Sequence, residues 1–142
     1  MLDSDKKKIL DWMQEGYNCS QVVMMHFVDK TGLDLEIAKK ISQPFELGHY
    51  NASTCGAVVA GLMVLGLIKG GMDDDSKVDL IKSSHIFTSK FKEQMGAINC
   101  DDLLGMNVNE GNNISKAFEE GKIQTICPKA IFTAIEILEE II

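Results

Sequence analysis

The sequence has no arginine. All 14 basic residues are lysine, set against 21 acidic ones, for a net charge of −7. Bidentate reading of phosphates and base edges is chiefly arginine work, so a nucleic-acid partner is not expected. The acidic balance equally disfavours an anionic membrane surface. The longest apolar run, Gly56 to Ile68, has 13 residues, against the roughly 20 that a bilayer requires, so no membrane insertion is expected. No alternating run bounded by turn residues is present, which leaves a sheet without its usual signal. No GxxxxGK[ST] loop is present. There is also no CxxC pair, which removes the thioredoxin motif, the zinc ribbon and the c-haem signature. The polar start, Met1 to Lys8, has no apolar stretch behind it, and the expected compartment is cytoplasmic.

What is present is the balance of a globular chain: 142 residues, 45% hydrophobic and 25% charged. Length predicts a single domain over residues 1–142. Helical periodicity dominates, and the expected fold is an all-α compact bundle of about six or seven helices. The first helix runs from Asp3 to Gln14, with Ser4 as a candidate cap and Ile9, Trp12 and Met13 on one face. The second runs from Asn18 to Thr31. Asn18 and Gln21 stand in capping-box spacing, and Gly32 follows the helix end. Asp34 opens a third helix that Pro44 stops, and a loop at 43–54 follows. The apolar fourth helix, Cys55 to Ile68, is predicted to be central, with Ser53 or Thr54 as its cap. Asp73 to Asp75 open a fifth, with Val78, Leu80, Ile81, Phe87 and Phe91 facing the core and Gly96 at its end. Short helices follow at Cys100 to Leu104 and Ile114 to Glu120. Pro128 is placed in the first turn of the last helix, a favoured position for proline.

The chain has four cysteines, Cys19, Cys55, Cys100 and Cys127, separated by 36, 45 and 27 residues. Each falls at a predicted helix start: after Asn18, after Thr54, after Asn99, and at the cap position before Pro128. Free N–H groups and the helix dipole favour a thiolate there, by about 0.3–1 kcal/mol when exposed. The inert alternative is that a free cysteine behaves as a small buried hydrophobe. Neighbouring charge should separate the four thiols. Asp101 and Asp102 oppose a thiolate at Cys100, and Glu15 does so weakly at Cys19. Lys129 favours one at Cys127. Cys55 has small uncharged neighbours and is the expected attacking thiol, with Cys127 the other acidic one.

Four segments in order, GYNCSQ at 16–21, CGAVVAGLMVLG at 55–66, INCDDLLG at 98–105 and CPKA at 127–130, make the chain resemble the C_GCAxxG_C_C family of redox-active proteins. The resemblance runs from about Asp11 to Leu138. It carries the family positions onto Cys19, Cys55, Gly56, Gly61, Cys100 and Cys127, and it implies redox chemistry at the cysteines. One departure stands out. Relatives often have a glycine-rich stretch before the second cysteine, and here residues 44–54 keep only Gly48.

The leading functional expectation is thiol–disulfide redox chemistry, a thiol oxidoreductase without an organic cofactor. One thiolate attacks and a second cysteine resolves, and the partner is a redox protein or a small thiol or disulfide. The rival is a metal module in which Cys19, Cys55, Cys100 and Cys127 hold zinc or an iron–sulfur cluster. A third reading is a non-catalytic interaction domain. Among the histidines, His26 reads as a core residue and His85 as solvated. His49, six residues before Cys55, is the candidate partner for activating a thiol. Asp73, Asp74 and Asp75 read as capping and solvation.

Overall fold

A computed structural model describes all 142 residues. The fold is all-α, as expected, but it has nine α-helices rather than six or seven. They are α1 (Asp3–Gln14), α2 (Cys19–His26), α3 (Val28–Thr31), α4 (Leu35–Ser42), α5 (Gly56–Lys69), α6 (Asp74–Met95), α7 (Cys100–Leu104), α8 (Asn113–Glu119) and α9 (Lys122–Ile141). No helix is long and apolar enough to cross a membrane.

The centre is a pair of helices, α2 and α5, flanked by α4, α6 and α9. Six consecutive residues of α2, from Ser20 to Met25, are buried. That fits a helix surrounded on every side rather than an amphipathic one. Its start is fixed by a reciprocal cap: the Gln21 amide donates to Asn18 Oδ1 at 3.0 Å, and the Asn18 amide donates to Gln21 Oε1 at 3.1 Å. The Gln21 side chain also donates to the Lys39 carbonyl at 2.9 Å, which ties α2 to α4. In α5, Gly61 leaves room for the fully buried Phe87 ring of α6, which a Cβ there would overlap. The main core gathers 20 buried residues around these contacts. A smaller one of four, Ala52, Cys100, Leu104 and Val108, lies under α7.

Several expected boundaries move. The second predicted helix breaks at Phe27, so that α3 is a separate turn, ended by Gly32 at φ +73°. Ser4 lies inside α1, whose cap is Leu2, and the cap of α5 is Cys55 itself. Val78 and Ile81 are exposed, because α6 turns the 83-87-91 ridge inward instead. The last helix begins six residues earlier than Pro128, which sits inside it. The proline removes the N–H that would have met the Gln124 carbonyl, and its ring crowds that carbonyl.

The segment before α5 is not an open loop. Gln43–Phe45 form a 3₁₀ turn and Gly48–Ala52 a wider one. Leu47, His49, Tyr50 and Ala52 all take positive φ, from 47 to 58°. Such left-handed backbone costs a non-glycine residue about 1–2 kcal/mol. Glycine adopts that conformation without the penalty, but this stretch has glycine only at Gly48.

Candidate functional site

Two backbone devices bring the cysteines together. The first is an antiparallel bridge between Thr54 and Asn99. The Cys55 amide donates to the Ile98 carbonyl at 2.8 Å, and the Cys100 amide donates to the Ser53 carbonyl at 2.7 Å. The bridge sets the starts of α5 and α7 side by side. It makes Cys55 and Cys100 a diagonal pair on one face, a relation that spans about 7–8 Å in antiparallel strands. A pairing this short leaves no alternating pattern, so no sequence signal marked it.

The second device is Gly56. A Cβ there would lie 2.5 Å from the Phe45 carbonyl oxygen and 2.6 Å from Cys19 Sγ. Both distances are too short for real contacts, so only glycine lets the Cys19 sulfur and the Phe45 carbonyl reach the first turn of α5. Gly56 and Gly61 therefore both have a steric reason to be glycine, the first against the thiol site and the second against Phe87.

Cys19 and Cys55 interact directly, and this pair differs from the other two thiols. The Cys19 thiol donates toward Cys55 and lowers its pKa. Burial works the other way, and the backbone N–H groups of Ala57 and Val58 at the start of α5 add to the lowering. Cys19 is raised well above the ordinary thiol range, first by that same bond to Cys55, then by burial and by the charge that Cys55, Cys127 and Cys100 would carry. Within the pair the Cys19 thiol holds its proton more tightly, and the amides of Ala57 and Val58 favour the anion on Cys55.

The other two thiols are pushed up to about 12. For Cys100 the causes are burial, then Cys55, Cys127 and Asp101. For Cys127 they are burial, then Cys55 and Glu46. The expected acidity of Cys127 is corrected on two counts. It lies inside α9 rather than at a helix start. Lys129 also does not act on it, since residues two apart on a helix do not face each other. Glu46, from the segment after the 3₁₀ turn, is the charged neighbour instead, which nothing in the local sequence indicated.

His49 does not join the cysteines. It is exposed within the left-handed turn, packs edge-on against the Phe45 ring at 6.3 Å between centroids, and acts on none of the four thiols. His26 contacts Glu139 at 3.1 Å, and His85 is exposed. No three His, Cys, Asp or Glu side chains stand in an arrangement that could hold a metal ion. The Asp73 carboxylate caps α6 through the Ser76 amide at 2.8 Å, which accounts for the acidic run.

The site is a cluster of unpaired cysteines on an all-α frame, with one thiol acidified by another. A family model described as "Putative redox-active protein (C_GCAxxG_C_C)" matches residues 17–141, and the chain belongs to that family. No curated protein and no solved structure matches it.

Proposed function

We propose that the protein carries out thiol–disulfide redox chemistry, with Cys55 as the attacking thiolate and Cys19 as the resolving thiol. The observation that carries this reading is their direct pairing with opposite shifts: the Cys55 thiol is lowered and the adjacent Cys19 thiol is raised. Cys55 donates an electron pair to an electrophilic sulfur or oxygen and becomes covalently modified. The Cys19 sulfur then attacks the Cys55 sulfur, loses its proton and displaces the modifying group. The two thiols lose two electrons and two protons in total, which the oxidant receives. Cys100 and Cys127, both largely protonated at neutral pH, serve as a reserve pair near Cys55. The partner is a redox protein or a small thiol or disulfide, and unpaired cysteines suit a reducing, cytoplasmic setting.

The test is equilibration in glutathione redox buffers followed by non-reducing peptide mapping. A single Cys19–Cys55 link, formed and lost in one two-electron step, is expected. Links that scatter among the four cysteines, or none at all, would overturn the assignment.

A further inference from the structure

Two sulfurs from different helices are brought side by side and held there. Cys19 opens α2, whose start is locked by the reciprocal Asn18–Gln21 cap. Cys55 caps α5, and its amide is held by the Ile98 carbonyl at 2.8 Å. Gly56 admits the Cys19 sulfur to the first turn of α5, 2.6 Å from where a Cβ would stand. The two thiols are hydrogen-bonded to each other, and both are buried. No carboxylate or histidine acts on either sulfur. Glu46 and Asp101 act on Cys127 and Cys100 instead, and His49 packs on the Phe45 ring.

Which ions such a pair can hold follows from ligand number and softness. Calcium and magnesium take about six or more oxygens. Zinc in a structural site is almost always four-coordinate, whereas here the adjacent donors are two sulfurs. Thiolates select soft ions such as Cu(I), and a monovalent d¹⁰ ion is satisfied by two sulfurs in line. We infer that the reduced Cys19–Cys55 pair is a two-coordinate site for one soft monovalent cation, of which Cu(I) is the type. The inference needs the two sulfurs to be adjacent and does not need them to be redox-active.

The ion takes the place of the proton between the sulfurs, so it needs no cavity of its own. Two metal–sulfur bonds form, both S–H bonds break, and both protons go to solvent. No electron moves, and the copper stays monovalent. Bonds of roughly 2.3 Å, the length found for the d¹⁰ ion Zn²⁺, put the sulfurs about 4.6 Å apart in line. The complex keeps one net negative charge. The Ala57 and Val58 amides at the start of α5, which already favour an anion on Cys55, stand beside it. Sulfurs fixed by two helix starts and by the Gly56 contact lose little freedom on binding. The ion occupies both sulfurs, so a loaded pair cannot close its disulfide.

The experiment uses the full chain, reduced and anaerobic, titrated with Cu(I) as its acetonitrile complex against the chelator bicinchoninate. One equivalent should be retained. Cys19→Ser and Cys55→Ser should each lose it, while Cys100→Ser and Cys127→Ser keep it. X-ray absorption of the wild-type complex, which depends on no variant, should show copper with two sulfur neighbours and no others. The inference is overturned by copper that Cys19→Ser or Cys55→Ser retains, or that Cys100→Ser or Cys127→Ser loses. It is equally overturned by a third sulfur, by nitrogen or oxygen neighbours, or by no retention at all. Redox buffers without copper keep the two readings apart. A chain that links Cys19 to Cys55 but does not hold the ion refutes only the inference. One that holds the ion but never forms the link refutes only the thiol–disulfide reading.

Discussion

Cys55 and Cys100 form a natural pair of controls. Each opens a helix, each lies one residue beyond the same two-residue bridge, and they are 7% and 8% exposed. Yet one thiol is lowered and the other is pushed up to about 12. Position at a helix start therefore does not by itself set a thiol's acidity. Cys55 receives a proton donor, Cys19, which Gly56 admits to the first turn of α5. Cys100 is one of the four residues of the smaller core, faces the charge of Cys55, and is followed by Asp101. With burial equal, the difference comes from what stands beside each sulfur.

The sharpest way to break this comparison is site-resolved alkylation of the native, reduced protein. With a pKa of about 12, Cys100 and Cys127 are ionised at pH 8 only to the order of 10⁻⁴ by simple titration. Cys55 should therefore label far faster than the equally exposed Cys100 by mass spectrometry, and equal rates would show that the two thiols do not differ in acidity. The same shifts act on stability. A thiol raised in the folded state stabilises fully below its unfolded value, near ~8.5, and that contribution is lost as pH rises toward about 12. Urea unfolding should show stability falling across this alkaline window, with a shallower fall in Cys100→Ala.

Next in size is Gly56→Ala. Pushing a methyl against a carbonyl and a sulfur should cost roughly 1–3 kcal/mol, read as a lower urea midpoint. It should also raise the Cys55 pKa by displacing Cys19. Gly105→Ala, in the other region, meets nothing closer than Lys122 Nζ at 3.8 Å and pays only for its φ of +72°. It should cost about 1 kcal/mol and leave Cys55 labelling unchanged. An equal effect of both on Cys55 would mean that the close approach at Gly56 is not what positions the thiol.

Smaller again is His49→Gly. His49 holds φ +47° and touches no cysteine, so relieving its backbone should stabilise by up to about 1 kcal/mol with unchanged thiol reactivity. Altered Cys55 labelling would show that the histidine acts on the site after all. The smallest change expected is from Asp101→Asn. It should lower the Cys100 pKa slightly, since burial and Cys55 precede Asp101 among its causes.

Local sequence carried much of the frame. The Asn18–Gln21 capping box, the Asp34 and Asp73 caps and the glycine ends at Gly32 and Gly96 are all where spacing placed them. These signals depend on groups within four residues of one another, so the chain need not be folded for them to be legible. Gly56 and Gly61 were marked by motif, but their reasons lie in Cys19, Phe45 and Phe87, which are distant in sequence. The misplacement of Pro128 follows from a valid preference for the first turn, whereas α9 extends back to Lys122 and holds the proline inside it.

The sequence by itself determined an all-α chain with an apolar central helix, an acidic, arginine-free surface, and cysteines at the starts of α2, α5 and α7. All of that rests on composition, period and short-range capping, which act before any tertiary contact exists. Only the tertiary structure decided which thiol is acidic. That depends on a proton donor 36 residues away in the chain, on the bridge between Thr54 and Asn99, and on the burial of each sulfur. Electrostatic and hydrogen-bond effects on a pKa decay over a few ångströms of space, and the sequence records no such distances.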